Sequence, residues 1–169
     1  KLIIATGAAP FVPDVEGVSL AGVFCVRTPD DAVAIRAYAE KNNCRRAVVC
    51  GAGFIGLEVA ENLLSLKMDV TVIDAAPQIM PNAFDEEMAG YAKKQLKASG
   101  MRILTSAALK GIAGEGHVER VTIDNGVLPA DLVILAIGVR PATGFLEGCG
   151  LEMFKGTILV DENLKTNLP

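Results

Sequence analysis

The sequence predicts a doubly wound α/β fold, in which a parallel sheet carries helices on both faces. Two observations predict it: short apolar runs alternate with segments of helical period, and a glycine-rich turn joins the run Ala47–Cys50 to a helix that begins at Phe54. A third observation modifies it, because residues 108–127 carry turn signatures and alternating β-branched residues in place of a helix. The last crossover is therefore expected to be a small antiparallel meander.

The elements before the glycine turn are a strand, a loop and a helix. Leu2–Ala5 is a short apolar run typical of a strand, and the prolines and glycines after it indicate an extended loop. A helix is expected from Thr28 to about Lys41. Thr28 suits the N-cap, Pro29 suits the first helical position, and Asp31 completes the spacing of a capping box.

Alternating strands and helices are expected after the turn. Strands are predicted at Met68–Asp74 and Met101–Leu104, with a helix between them at Asp85–Ser99. Ile55, Val59, Leu63 and Leu66 recur every three to four residues and are expected on one apolar face of the helix from Phe54. The helix at 85–99 is expected to carry Met88, Tyr91, Ala92 and Leu96 on one face.

Two strands are expected near the end of the chain. Leu132–Ile137 is almost wholly apolar, as expected of a central parallel strand that is buried on both faces. Thr157–Val160 is expected to form a last short strand.

Composition limits the class of protein and its expected location in the cell. The chain has 169 residues, of which 51% are hydrophobic and 21% charged, and its net charge is -4. These values suit one globular domain, and the acidic balance predicts no nucleic-acid partner. The lack of a long apolar run predicts no membrane span, so a cytoplasmic location is expected. Because the chain starts at Lys1 and ends just after a strand-like run, it is expected to be excised from something larger.

The cysteines and the single histidine are expected to have no metal-binding or catalytic role. Cys25, Cys44, Cys50 and Cys149 lack the spacing of metal ligands, so no metal site is expected. Cys50 ends an apolar run and is expected to be a small buried core residue. His117 falls in a predicted turn and is expected to be solvated rather than catalytic.

Three glycines have the spacing of a dinucleotide fingerprint. They follow a predicted strand, open a predicted helix, and precede Asp74 at the end of the next strand. Gly51 would allow the tight turn, Gly53 a close approach of backbone to pyrophosphate, and Gly56 close packing of the helix. This combination is typical of a Rossmann-like fold, and the turn, Ala52 included, is expected to bind NAD(H). The alternative is a glycine turn that merely packs.

Asp74 predicts which dinucleotide binds. Its carboxylate would accept hydrogen bonds from the adenosine ribose hydroxyls, whereas a 2′-phosphate about 4 Å away would be repelled by up to roughly 4 kcal/mol. No Arg or Lys follows in residues 75–78 to compensate. NAD(H) is therefore expected to bind more tightly than NADP(H), by about one to three orders of magnitude. The alternative is that Asp74 is a helix cap or a turn residue.

Spacing leaves three other residues open. Glu58 is either an acidic side chain favoured by the dipole in the first helical turn or a functional residue. Phe54 is either a core residue or a functional one, and Arg140 could be an ordinary surface charge.

With these residues in hand, the sequence resembles the pyridine nucleotide-disulfide oxidoreductases, flavoproteins with paired FAD and NAD(P)H domains. It is most similar to the branch of NADH oxidases, NADH peroxidases and coenzyme A-disulfide reductases. The tail Ile158–Asn167 resembles the return into the flavin domain. The segments that carry the resemblance, in order, are Leu2–Pro10, Val48–Glu61, Val70–Asp74 and Leu132–Thr143.

The resemblance implies roles around the nicotinamide. It implies that Phe54 shields the flavin until nicotinamide displaces it, and that Ile55 and Glu58 line the nicotinamide site. It also implies that Gly138 and Val139 pass beside the bound dinucleotide.

The resemblance further implies the context of the chain. Thr6 and Gly7 match a stretch that contacts FAD in the parent protein, and the meander is implied to have three strands. Residues 1–169 would be one NAD(H)-binding domain of a larger flavoprotein, with residues 1–18 and 157–169 as edges of the missing FAD domain. The parent is expected to be a homodimer.

The parent is expected to pass hydride from NADH to flavin for reduction of a disulfide, persulfide, peroxide or oxygen. This chain has no FAD fingerprint and no redox-active cysteine segment, so no catalytic residue is assigned to it and it is expected to be inactive alone. Two alternatives stay open: an S-adenosylmethionine-dependent methyltransferase domain, and a non-catalytic NADH-sensing module.

Overall fold

The structure is a computed structural model that describes residues 1–168, and it divides the chain into two compact units. Unit 1 consists of Lys1–Pro10 and the residues from Val139 onward, and unit 2 of Phe11–Gly138. No helix among the described residues is long and apolar enough to cross a bilayer. In chain order the elements are β1 (Ala8–Pro10), β2 (Val23–Cys25), α1 (Pro29–Lys41), β3 (Arg46–Cys50), α2 (Phe54–Ser65), β4 (Asp69–Ile73), α3 (Glu86–Ala98), β5 (Arg102–Leu104), β6 (Leu109–Ala113), β7 (Arg120–Ile123), β8 (Gly126–Pro129), β9 (Leu132–Leu135), β10 (Val139–Pro141), β11 (Met153–Phe154) and β12 (Thr157–Ile158).

Unit 2 is built on a five-stranded parallel sheet in the order β2-β9-β3-β4-β5. All four residues of β9 are buried, and β9 lies between β2 and β3, which confirms the prediction of a central parallel strand. The antiparallel meander is also confirmed, with three strands in the order β6-β7-β8. The predicted α/β class with a parallel sheet is thus confirmed.

The prediction of helices on both faces of the sheet is wrong. Residues of all three helices share one core cluster with Val49, Val72 and Ile134, whereas the meander packs with Val48 and Val133 on the other face. Parallel crossovers are right-handed, so the direction of each step fixes its face. The steps β2 to β3, β3 to β4 and β4 to β5 all cross the sheet in one direction. Only the step from β5 back to β9 runs the other way, and the meander makes it.

The prediction of a strand at Leu2–Ala5 is also wrong. Residues 1–7 form no strand, and the side chains of Leu2 and Ile3 are 86% and 89% exposed. A strand needs a neighbour for its N–H and C=O groups, and in unit 1 that pairing begins at β1, which is antiparallel to β10. The edge strand β2 was not predicted, because its three residues follow a loop rich in Pro and Gly.

The predicted helices are confirmed, but only part of the apolar face predicted for α2 and for α3 is buried: Leu63 is in the core, and Val59, Ala92 and Leu96 pack against it. Helix α1 has the expected capping box of Thr28 and Asp31. The buried residues of α2 are Gly56, Leu57, Ala60 and Leu63, while Ile55 and Leu66 are exposed. Helix α3 buries Ala89, while Met88 and Tyr91 are exposed. The buried faces of both helices include small residues, which let each helix approach its neighbours closely.

Unit 1 is small and thinly packed. It contains the pair β1 and β10 and the hairpin of β11 and β12, where the predicted strand Thr157–Val160 is confirmed over two residues. Thr143 is its one buried residue in the described chain, and its hydroxyl donates to the carbonyl of Gly156. The expected flavin-domain edges, residues 1–18 and 157–169, overlap unit 1 at both ends and stay a prediction.

Cys50 is a core residue, as predicted. It is 1% exposed, and burial raises the pKa of its thiol to about 12. A thiol that stays protonated at neutral pH is a poor nucleophile, so Cys50 contributes packing rather than redox chemistry.

Candidate functional site

The candidate site lies at the carboxyl edge of the sheet in unit 2. Because the strands are parallel, their carboxyl ends meet at one edge, and Cys50 is in register with both Ile73 of β4 and Leu135 of β9. The residues that follow these three strand ends are Gly51, Asp74 and Ala136. The fold therefore brings together the glycine turn, the predicted ribose-binding carboxylate and the segment that leads to Gly138.

Gly51 and Gly56 are required by close packing. Gly51 has a φ of 109°, in the left-handed region, and a Cβ on it would meet the carbonyl of Ala136. A Cβ on Gly56 would meet the carbonyl of Gly51, so α2 approaches the turn closely because residue 56 has no side chain. The helix thus packs on the turn itself.

Gly53 is different, because space lies beside it. Apart from Gly53 and its two chain neighbours, no described residue has a heavy atom within 4 Å of the position that a Cβ on Gly53 would occupy. Gly53 is the N-cap of α2 with no side-chain cap, and the Leu57 N–H donates to its carbonyl at 3.0 Å. The N–H groups of Phe54, Ile55 and Gly56 precede that first helical bond and can take an acceptor from outside the helix. These N–H groups are hydrogen-bond donors of the kind that an anion takes at a helix N-terminus, and there is room beside them for backbone contact.

Asp74 holds the glycine turn. Its Oδ2 accepts the Ala52 N–H at 2.6 Å, and its Oδ1 accepts the Ala76 N–H at 2.8 Å. The alternative interpretation of Asp74 as a turn residue is therefore part of its role. A carboxylate has about four lone-pair positions, so each oxygen can accept one further hydrogen bond from a ligand hydroxyl.

A second contact on the turn was not anticipated from the sequence. The Met80 N–H donates to the carbonyl of Ala52 at 2.9 Å, and Met80 has a φ of 52°. Met80 is 6% exposed and its neighbour Ile79 is fully buried. The available signal was this apolar pair, which stands between Pro77 and Pro81 in a segment with no helix or strand pattern.

Phe54, Ile55 and Glu58 all face solvent. Phe54 is 69% exposed and Ile55 is 50% exposed, so neither is a core residue. Glu58 is also exposed, but it is the fifth residue of α2 and lies outside the first turn. The dipole explanation offered for Glu58 is therefore wrong. These three side chains lie on the first turns of the helix that the glycines open.

The remaining predicted site residues lie at the ends of the two units. Gly138, the last residue of unit 2, has a φ of 116° and accepts the Phe11 N–H at 2.9 Å. In unit 1, Val139 begins β10, and Gly7 accepts the Ala142 N–H at 2.9 Å. Thr6 is exposed. Their assignment to NAD(H) or FAD stays a prediction.

The opposite edge of the sheet carries charge of both signs. A cleft of about 640 Å³ there is lined by residues such as Arg46, His117 and Asp131. The Arg46 guanidinium pairs with Asp131, and Asp131 also accepts the N–H groups of Arg45 and Arg46. Partial burial raises the pKa of the Asp131 carboxyl, but these hydrogen bonds outweigh it and hold the pKa at about 2. His117 is exposed, as predicted.

Comparison with known proteins points to one family. Residues 1–169 match the family described as pyridine nucleotide-disulphide oxidoreductase. An NADH oxidase from Methanocaldococcus jannaschii is 42% identical over 168 residues, which are 99% of this chain and 38% of that protein. The chain thus spans about two fifths of the length of this relative.

Solved structures agree with the sequence relatives. The NAD-dependent persulfide reductase from A. fulgidus superposes with a TM-score of 0.90 at 38% identity, covering 96% of this chain and 30% of that one. A water-forming NADH oxidase from Lactobacillus brevis, bound to NADH, has a TM-score of 0.87 at 28% identity, covering 95% of this chain and 35% of that one. Its engineered mutant, an NADPH oxidase bound to NADPH, has a TM-score of 0.87 at 26% identity with the same coverage.

Proposed function

Since the chain belongs to the pyridine nucleotide-disulphide oxidoreductase family, we propose that it is the part of a flavoenzyme that binds NADH and presents its nicotinamide to a flavin. The observation that carries this proposal is the open, uncapped start of α2 beside Gly53, with the Asp74 carboxylate on the neighbouring strand end. Family membership decides against the methyltransferase hypothesis.

The residues of the turn suit a dinucleotide in three ways. The N–H groups at the start of α2 would bind the pyrophosphate, and the space beside Gly53 would let the backbone approach it. Asp74 would accept the adenosine ribose hydroxyls with the lone pairs that Ala52 and Ala76 leave available. Phe54 and Glu58 would then flank the nicotinamide, in agreement with their exposure.

We propose that the site prefers NADH to NADPH. The engineered NADPH oxidase carries five substitutions: at a glycine, then from eighteen residues later at consecutive Asp, Ala and Met residues, and five residues after these at a Pro. The Asp becomes Ala and the following Ala becomes Arg, a change of charge that favours a 2′-phosphate. At the same spacing this chain has Gly56, Asp74, Ala75, Ala76 and Pro81.

Calorimetric titration of the 169-residue chain with NADH and NADPH tests the function and the preference together. NADH should bind more tightly than NADPH, by about one to three orders of magnitude. The double variant Asp74→Ala/Ala75→Arg should reverse the order, because it replaces repulsion of the 2′-phosphate with a cation.

Asp69→Asn, at the opposite end of β4, is the control and should change neither affinity. If NADH fails to bind the wild-type chain at millimolar concentration, the proposed function is wrong. If both dinucleotides bind equally, only the role of Asp74 is wrong.

We propose that the longer protein carries FAD, with Thr6 and Gly7 among its contacts. When both cofactors are bound, the nicotinamide supplies hydride and the flavin accepts it. The residues of this chain contribute by fixing distance and orientation, which makes the step effectively unimolecular. The acceptor of the electrons, whether a disulfide, persulfide, peroxide or oxygen, would be determined by the rest of that protein.

The resemblance also supports a homodimeric, cytoplasmic parent whose FAD domain is the main partner of this chain. Light scattering of the longer protein tests whether it is a homodimer, and its flavin absorbance tests whether it carries FAD. An NADH-sensing module without turnover is the competing hypothesis, and steady reduction of flavin by NADH would decide against it.

A further inference from the structure

Ala52, the middle residue of the glycine turn, is held on both sides. Its N–H donates to Asp74 Oδ2 at 2.6 Å, and its carbonyl accepts the Met80 N–H at 2.9 Å. The residue is fully buried. The peptide groups before and after Ala52 therefore each have one polar atom fixed by a partner outside the turn.

Fixing the Ala52 carbonyl also orients the next amide. A trans peptide is planar, and its C=O and N–H point in opposite directions. Because the Ala52 carbonyl is directed at Met80, the Gly53 N–H is directed away from Met80. No described residue accepts this N–H. Rotation of the same peptide would turn a carbonyl oxygen toward a bound anion and repel it.

The conformation of Met80 is unfavourable on its own. A left-handed backbone is uncommon for a residue with a Cβ, and it persists only where the surroundings impose it. Here the Met80 carbonyl accepts the N–H groups of Ala83 at 2.9 Å and Phe84 at 3.0 Å, and the side chain is buried. These contacts keep the Met80 N–H directed at Ala52.

We propose that Met80 is a positioning residue for the dinucleotide pyrophosphate. Its left-handed backbone holds the Ala52–Gly53 peptide so that the Gly53 N–H joins the donors at the start of α2. The inference rests on the proposed binding of NADH, and it adds the segment after Asp74 as a second support of the turn.

The test compares two isomeric side chains in the 169-residue chain. Met80→Ile introduces a β-branched residue, which strongly disfavours a positive φ, whereas Met80→Leu has the same composition without the branch at Cβ. Affinity is measured by titration for ADP-ribose, which contains the pyrophosphate, and for adenosine, which does not. Met80→Ile should bind ADP-ribose about tenfold more weakly than Met80→Leu. Adenosine affinity should be the same in both within about twofold, a result that general destabilisation would not produce.

A backbone variant makes the test independent of folding differences. Replacing the amide at position 80 with an ester removes the N–H and leaves the methionine side chain, and it should also weaken ADP-ribose binding about tenfold relative to wild type. If Met80→Ile does not fold, the ester variant decides. Unchanged ADP-ribose affinity in the folded variants overturns the inference while leaving the proposed function intact. Failure of the wild-type chain to bind NADH would instead defeat the proposed function.

Discussion

Gly53 and Gly56 belong to one motif, but their surroundings constrain them differently. Beside Gly53 there is empty space, whereas beside Gly56 there is the carbonyl of Gly51. In the proposed dinucleotide site, Gly53 therefore matters to the ligand, whereas Gly56 matters to the packing of α2. This difference separates binding from stability at the scale of single residues.

Alanine should mainly weaken NADH binding at position 53 and mainly lower stability at position 56. Gly53→Ala should leave the free energy of unfolding within about 0.5 kcal/mol of wild type, because φ of -86° suits alanine, and should weaken NADH binding at least about tenfold. Gly56→Ala should lower the free energy of unfolding by about 1–3 kcal/mol, because α2 or the turn must shift. Denaturant unfolding and calorimetry measure the two quantities.

Gly90→Ala is the control for these variants. Its Cβ also meets open space, but on α3, so NADH affinity should not change. Equal loss of stability in the Gly53 and Gly56 variants would contradict the assignment.

Single residues were predictable where their type carries the constraint. The turn glycines and Asp74 could be identified from the sequence because few residue types meet the requirements of a dinucleotide-binding turn. Met80 was not, because nothing in its type indicates a left-handed backbone, and the contacts that impose it come from Ala83, Phe84 and the turn itself. The apolar faces of α2 and α3 were predicted only in part, for a related reason. Periodicity favoured the larger side chains, while the small residues Gly56, Ala60 and Ala89 are also buried, where they allow close approach of the helix.

At the scale of elements, β3 and β9 are joined at both ends. Their carboxyl ends carry the glycine turn and Ala136, and their amino ends are linked by Asp131 with Arg46. Because the pKa of Asp131 is about 2, below the ordinary value of 3.8, its charged form stabilises the folded state. This stabilisation is complete above pH 4 and is lost as the pH falls through 2.

Asp131→Asn should therefore lower the free energy of unfolding by about 1–2 kcal/mol at pH 7. The difference from wild type should shrink between pH 4 and pH 2, as measured by urea unfolding across that range. Glu61→Gln, an exposed change on α2, is the control and should show no such trend. A difference that stays constant with pH would contradict the ion pair as its source.

Strand order and crossover handedness explain why one element-level prediction failed. Alternating strands and helices predicted a sheet with helices on both faces, but the pattern does not say in which order the strands pair. Once β9 lies between β2 and β3, the three helical crossovers share one direction and so one face. The meander was predictable from its turns, and its position on the opposite face was not.

At the scale of the whole molecule, the two units differ in how they are held together. Unit 2 has apolar clusters on both faces of its sheet. Unit 1 has two-stranded pairs and one buried residue, Thr143, among the described residues. Two-stranded pairs without a core are marginal in water.

Amide hydrogen exchange should therefore be uneven. Amides of β1 and of the β11–β12 hairpin should exchange at least about a hundredfold faster than those of β3 and β9, as followed by mass spectrometry or NMR. The meander strand β7, whose residues Val121 and Ile123 are buried, serves as a protected reference within unit 2. Slow exchange in β1, comparable to that of Val49, would contradict this division.

The hydrogen bond between Phe11 and Gly138 has a consequence for protein engineering. Phe11 is the first residue of unit 2 and Gly138 is the last. The hydrogen bond between them holds the two ends of unit 2 side by side. A segment with adjacent ends can be transplanted into a surface loop of an unrelated host, or circularly permuted with a short linker, without stretching either protein. The adjacent ends of unit 2 thus suit it to insertion as a domain into another protein.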